Sequence, residues 1–347
     1  MKASIIPYVL KFKRPAGTSR GILNTKKTYI LKIEENGKKG YGECNLFKGL
    51  SRDDKPDYEE KLKWLIKNID RPINEQIDYL KNYSSIIFGI EQAMASLKAK
   101  NPFILYPSEF TKGLQGIPIN GLVWMGHKEF MKEQIDQKIK EGFKVIKLKI
   151  GAINFEDEID LLRYIRQNFS DKDLEIRVDA NGAFAPETAL EKLKRLSEFN
   201  IHSIEQPIGQ GQMEEMARLC QTSPIPIALD EELIGYNHLF DKENFLKTIK
   251  PQYIILKPAL HGGFIGADTW IEAAGKTQTD WWITSALESN IGLNALAQYT
   301  FIKNIKRPQG LGTGMLYTNN FKSPLYISQG QLFFKQDKSF MLPKAFS

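Results

Sequence analysis

Six polar residues stand at the ends of short apolar runs in the second half of this chain. They are Lys149 in VIKLK, Asp179 in EIRVD, Glu205 in HSIE, Asp230 in PIALD, Lys257 in YIILK and Ser285 in WWITS. Successive members lie 25 to 30 residues apart, about the chain that one strand, turn, helix and return loop consumes. Asp179, Glu205 and Asp230 supply hard oxygen donors with three negative charges, a set that suits Mg²⁺ with Mn²⁺ as a substitute. A lysine is a poor base at its ordinary pKa of about 10.4, and a nearby metal or second ammonium lowers it. Lys147 shares a strand face with Lys149, which makes Lys149 the better-placed base, and Lys257 approaches from across the site. Two amines facing each other over a carboxylate held by a metal allow removal of a proton from the adjacent carbon, because the metal stabilises the charge that develops.

These side chains need one kind of scaffold to meet. In a (β/α) barrel the C-terminal ends of the parallel strands open onto a single face. From IPINGLVW onward, strand-like and helical segments alternate, with HKEFMKEQIDQKIKEGF closed by Gly142 and Pro186 at a helical first turn. The eighth strand, near QGLGTG, is glycine-rich and weak as a pattern. Residues 1–114 read instead as an α+β piece: YVLKF and KKTYILKIEENGKKGYGEC as an antiparallel sheet, then two amphipathic helices. The tail alternates again. The fold expected is therefore α/β: a modified TIM-like barrel over 115–316, with an α+β capping domain built from 1–114 and from a tail, 317–347, that returns to it.

At 347 residues, 42% apolar and 26% charged, the chain has ordinary globular composition. The net charge of +7 is spread among acidic residues and forms no basic block, so a small polyanionic carboxylate fits as partner better than nucleic acid. No run approaches a membrane span and the N-terminus lacks a signal-peptide pattern, which points to the cytoplasm. The two cysteines form no disulfide framework and the four histidines no metal-spaced set. GGFIG at 262–266 either cradles an anion at a helix start or makes a tight turn.

KLKIG at 147–151, RVDAN at 177–181, IEQP at 204–207, LDEE at 229–232 and LKP at 256–258 resemble the enolase superfamily, in its muconate lactonizing enzyme subgroup. YGECNLFKGLS at 41–51 is similar to that subgroup's capping-domain strand and loop. SALESNIGLNALAQ at 285–298 and QGLGTGMLYTNN at 309–320 resemble its dehydratase branch. That branch converts 2-succinyl-6-hydroxy-2,4-cyclohexadiene-1-carboxylate to o-succinylbenzoate on the route to menaquinone. The resemblance implies Lys149 as base, Lys257 as the opposing ammonium, and Asp179, Glu205 and Asp230 as Mg²⁺ ligands. It also offers Lys147, Arg177, Ser285 and Gly310 as substrate contacts, and a loop near Gly17 to Gly21 that closes over the mouth.

Dipeptide epimerases and N-acylamino acid racemases of the same subgroup are the rival reading, since opposed lysines serve two-base chemistry as well. Such epimerases place an Asp-x-Asp pair after the eighth strand, and GLGTG at 310–314 has no carboxylate. A sugar-acid dehydratase would carry a late histidine where Ser285 stands. A barrel without activity would have no need of both lysines and all three acids.

Overall fold

The computed structural model describes residues 1–18, 21–343 and 346. Three strands open the chain, β1 (Lys2–Thr18), β2 (Gly21–Glu35) and β3 (Lys38–Cys44), in one antiparallel sheet of that order. The β2–β3 hairpin turns through Asn36 and Gly37, both at positive φ (51° and 76°), the combination a two-residue hairpin loop requires. Helices α1 (Tyr58–Lys67), α2 (Ile73–Tyr79) and α3 (Ser84–Lys98) follow. β3 can lie directly against α3 because Gly42 has no side chain there: a Cβ would fall 2.0 Å from the Gly89 carbonyl oxygen. In β1 the pairing slips between Lys11 and Ala16, so residues 12–15 bulge opposite Asn24. Bulges of this kind re-aim side chains beside active sites. The closing loop expected near Gly17 to Gly21 includes Ser19 and Arg20, which lie outside the described residues.

The candidate strand IPINGLVW is divided. β4 (Ile117–Pro118) pairs away from the barrel, and β5 (Gly121–Val123) enters it. β6 (Val145–Lys149), β7 (Glu175–Asp179), β8 (Ser203–Glu205), β9 (Ile227–Leu229), β10 (Tyr253–Leu256) and β11 (Asp280–Ile283) then add one after another in parallel. Between consecutive strands, from β5 to β11, run α4 (Lys128–Lys140), α5 (Phe155–Asn168), α6 (Pro186–Ser197), α7 (Met213–Thr222), α8 (Leu239–Ile249) and α9 (Gly263–Thr277). α10 (Asn290–Ile302) follows β11. Two residues make the last staves meet. Gln309 bridges Ile119, and Gly310 bridges Thr284, both in parallel sense, with Gly310 N–H on the Ile283 carbonyl at 2.8 Å and Asn120 N–H on the Gln309 carbonyl at 3.0 Å.

The tail does two things. Tyr317 bridges Phe12 of β1, the Thr318 N–H donates to the Lys11 carbonyl, and Phe346 packs with Tyr8 and Phe321. Between these contacts β12 (Leu325–Ser328) and β13 (Gln331–Phe334) form a hairpin whose partner is β4. The main core fills the layer between the parallel sheet and its helices, with Ile146, Leu148, Val178 and Ile204 all buried there. A second core lies between the antiparallel sheet and α1 and α3. Among the described residues no helix is long and apolar enough to cross a membrane.

GGFIG does receive an anion, and the protein supplies it. Glu91 of α3 accepts the N–H groups of Phe264 (2.5 Å) and Ile265 (2.9 Å) at the start of α9, where helix amides and dipole favour negative charge. Burial outweighs those bonds and pushes the Glu91 carboxyl up from 4.5 to about 7. Between these values the unfolded chain has released a proton that the folded chain keeps, so this group makes stability fall as pH rises. Urea unfolding from pH 4.5 to 7 should show wild type losing stability relative to Glu91→Gln. A wild-type-minus-variant difference that is flat across the window would contradict the assignment.

Candidate active site

Barrel geometry brings the ladder together because three of its members end their strands in register and the others follow their strand ends closely. Lys149 pairs with Asp179, and Asp179 with Glu205, across β6, β7 and β8. Asp230 and Lys257 each follow their strand by one residue. All the acids are buried. Lys147 Nζ lies 2.7 Å from both Asp179 Oδ2 and Glu205 Oε2. Lys149 Nζ lies 2.6 Å from Asp179 Oδ2 and from Asn181 Oδ1, and Lys257 Nζ bonds Asp230 Oδ2. Three strands separate β6 from β10, so Lys149 and Lys257 stand on opposite walls.

The electrostatics follow from crowding. Burial alone would lower Lys147, but the charges of Asp179 and Glu205 outweigh it and hold it above the usual lysine range. Burial would raise Asp179, yet Lys147 and Lys149 together hold it well below the usual carboxylate range. Glu205 has the weaker share of the cations. Burial and the charges of Asp179 and Asp230 push it up to about 8.

A cavity of about 820 Å³ opens above these groups, with Lys147, Lys149, Lys257, Ser285 and Gly310 in its wall. The bulge of β1 contributes Phe12, Lys13, Arg14 and Pro15 from the other side, so the antiparallel sheet roofs the barrel mouth. Arg177 is not brought to this wall. It lies one layer deeper, level with Lys147 and Ser203, over the Trp282 ring at 4.5 Å, with Nε on Glu175 (2.7 Å) and Nη1 on the Pro308 carbonyl (3.0 Å). Ser285 reaches the wall, but its hydroxyl bonds within the protein, to Glu288, Thr313 and the Leu287 N–H.

Sequence reasoning passed over Asn181, whose amide joins Lys149 to Glu231 (Nδ2 to Oε1 3.0 Å). Its place two residues after Asp179, in an Asn-Gly pair at positive φ, was the available signal. His261 accepts the Lys257 N–H on Nδ1 at 3.1 Å, a backbone role that keeps the turn after β10 in place.

The donor set fits a divalent cation. Glu205 Oε1 and Asp230 Oδ1 are buried without a hydrogen-bond partner, an arrangement native proteins avoid unless something else satisfies the oxygens. Among the described residues no three acids already stand at ligand spacing; the lysines and the Asn181 N–H hold the remaining oxygens. The fit therefore rests on chemistry: three hard oxygen donor groups, two of them with a buried oxygen that has no hydrogen-bond partner.

A cap over a parallel barrel, with opposed lysines above buried carboxylates at adjacent strand ends, is the architecture of the enolase class. Residues 130–337 match the enolase C-terminal domain-like family. The chain is 46% identical to an o-succinylbenzoate synthase from Desulfotalea psychrophila, over 93% of this chain and 96% of that protein. The crystal structure of MenC from the same organism superposes with a TM-score of 0.86 at 41% identity, covering 96% of this chain and 99% of that one. A D-Ala-D/L-Ala epimerase from Cytophaga hutchinsonii is 25% identical over 84% of this chain and 81% of its own length. The chain belongs to the enolase superfamily, in its o-succinylbenzoate synthase family.

If Asp230 is a metal ligand, Asp230→Asn should weaken Mg²⁺ binding by about tenfold or more, in line with the several kcal/mol at stake when a buried charge loses its partner. Lys149→Ala should bind Mg²⁺ at least as well as wild type, because it removes a competing cation. Calorimetric titration checks both, and equal affinities for wild type and Asp230→Asn would remove Asp230 from the ligand set.

Proposed function

We propose that the chain dehydrates 2-succinyl-6-hydroxy-2,4-cyclohexadiene-1-carboxylate to o-succinylbenzoate, with Lys149 as the base. The cavity wall after the eighth strand carries the choice within the family. Its lining residues are Gly310, Gly312, Thr313, Met315 and Leu316, with no carboxylate among them to hold the ammonium of a dipeptide. The substrate is a dianion, and beyond the three lysines matched by Asp179, Glu205 and Asp230 the cap adds the cations Lys13 and Arg14 to the cavity wall. The 46% identity to an o-succinylbenzoate synthase over nearly the whole chain supports the same reading.

Asp179, Glu205 and Asp230 would hold Mg²⁺, which supplies Lewis-acid stabilisation of the negative charge developing on the ring carboxylate. Lys147 is clamped between Asp179 and Glu205, whereas Lys149 ends its strand at the cavity wall, which favours Lys149 as the base. Lys149 Nζ takes the proton from the ring carbon bearing the carboxylate. It then returns that proton to the departing ring hydroxyl, so water leaves from the face the base occupies and the elimination is syn. Formation of the aromatic ring drives this second step. Lys257, on the opposite wall and bonded to Asp230, faces the other side of the ring, where an ammonium over a developing aromatic face is favourable.

Addition of the hydroxycyclohexadiene to the Mg²⁺-loaded protein should give loss of the diene's ultraviolet absorbance, and chelation should stop it. Turnover of an N-acylamino acid with no dehydration would reverse the reading in favour of racemisation. Lys149→Ala should lower kcat by about 10²–10⁴-fold, the usual worth of a general base, with an unchanged circular dichroism spectrum. A near-wild-type rate in that variant would exclude Lys149 as the base.

A further inference from the structure

The seventh-strand wall of the cavity is held in a conformation that its own sequence does not favour. Leu287, which faces the cavity, sits at φ +62°, a left-handed conformation unusual for a leucine. Residues so held persist only where the surroundings over-determine them. Here they do. The Leu287 N–H donates to Ser285 Oγ at 3.1 Å, and Tyr317 OH donates to the Leu287 carbonyl at 2.8 Å.

Glu288 is the hub of this wall. Its Oε1 accepts the Ala286 N–H at 3.1 Å and the Asn45 amide at 3.0 Å, and its Oε2 accepts the Ser285 hydroxyl. Glu288 is fully buried, and those donors converge on it as they would on a carboxylate. Asn45 also donates to the Ala286 carbonyl at 3.0 Å and accepts from the buried Lys26 of β2. One acid thus ties Ser285 and Ala286 directly, and Leu287 through the Ser285 hydroxyl, to the antiparallel sheet that roofs the cavity.

The Ser285 hydroxyl is saturated by these bonds. A hydroxyl offers one proton and two lone pairs. The proton goes to Glu288, and the lone pairs take the Leu287 N–H and the Thr313 hydroxyl, the latter at 2.6 Å. Nothing of it is left to donate to a ligand, although it lines the cavity.

We propose that Glu288 is a positioning residue of this site, which sets the Ser285–Leu287 wall against the cap, and that Ser285 acts on the substrate through that wall rather than by its own hydrogen bond. This deepens the proposed reaction and rests on it, since the readout is turnover. The shape of the strained wall then selects the substrate, and the Glu288–Asn45 contact couples that shape to the seating of the cap.

A double-mutant cycle separates this from direct contact. Wild type is first assayed on the hydroxycyclohexadiene. If it is inert there, the reaction assignment fails, and the cycle is run on whichever N-acylamino acid the wild type turns over, so the two failures stay distinct. Ser285→Ala and Glu288→Gln should each raise KM about tenfold with kcat changed by less than about threefold. The double variant should be no worse than the poorer single, because residues acting as one unit are not additive. Glu288→Gln keeps the shape and places an amide donor opposite Ser285, which frees the hydroxyl proton. If Ser285 contacted substrate directly, that variant would keep or improve KM, and any gain would vanish in the Ser285→Ala background, where there is no hydroxyl to free. Either result overturns the proposal, as does a loss confined to kcat. If the double variant fails to fold by circular dichroism, the KM of Glu288→Gln alone decides: an increase supports the proposal, an unchanged or lower value overturns it.

Discussion

The structure depends on one constraint: ionised groups inside a barrel must be neutralised by each other before anything else can happen there. Barrel interiors are ordinarily filled by branched apolar side chains, and an unpaired buried ion costs several kcal/mol. Here three acids and three lysines occupy adjacent strand ends, with Lys147 spanning two acids and Lys149 and Lys257 taking one each. The balance is incomplete. Two carboxylate oxygens, on Glu205 and Asp230, stay without partners, and the negative charge they represent is what a hard cation would meet. A barrel that satisfied every oxygen with lysine would be more comfortable alone and useless for binding a metal.

The same constraint explains the alternation in each strand. Ile146, Leu148, Val178 and Ile204 face the helices and supply the burial that holds the sheet, which leaves the opposite face free to carry charge. That alternation was legible in the sequence, because period two is a property of any strand, and it was enough to place Lys149, Asp179 and Glu205 together. Depth was less legible. Arg177 has the right parity but lies one layer below, held by Glu175, Pro308 and Trp282. Parity names the face that a side chain takes, and only the register between strands says how far down it sits. The closing stave was faint for a related reason. Gln309 and Gly310 each make a single bridge, and two residues cannot display a period.

What the sequence could not reveal is how the cap meets the barrel, since those partners lie far apart in the chain and follow no local pattern. Glu43 of β3 accepts the Ser289 N–H (3.0 Å), the Ser289 hydroxyl (2.6 Å) and the Gly292 N–H (3.0 Å) at the start of α10, 246 to 249 residues away. Thr28 donates to the same carboxylate at 2.8 Å. Glu91 repeats the device at the start of α9. Each acid read alone in its own strand or helix gives no hint of a partner.

Docking through acids at helix starts has a consequence that apolar contact would not give. Hydrophobic burial is non-directional, so a cap held only by greasy surface could slide or rock and still bury the same area. A carboxylate receiving several N–H and O–H donors is satisfied in one orientation, and a buried one that loses them is left with a desolvated charge. At Gly292 the fit is tight enough that a Cβ would stand 2.7 Å from Glu43 Oε2, so a side chain there would push the carboxylate away from its donors. Two such points, one on α9 and one on α10, hold the cap against translation and leave it rotation only about the line that joins them. The β1 bulge that carries Phe12, Lys13 and Arg14 into the cavity is then positioned by contacts remote from the reacting centre. The roof of the site is therefore as well defined as its charged floor, although the two are built from opposite ends of the chain.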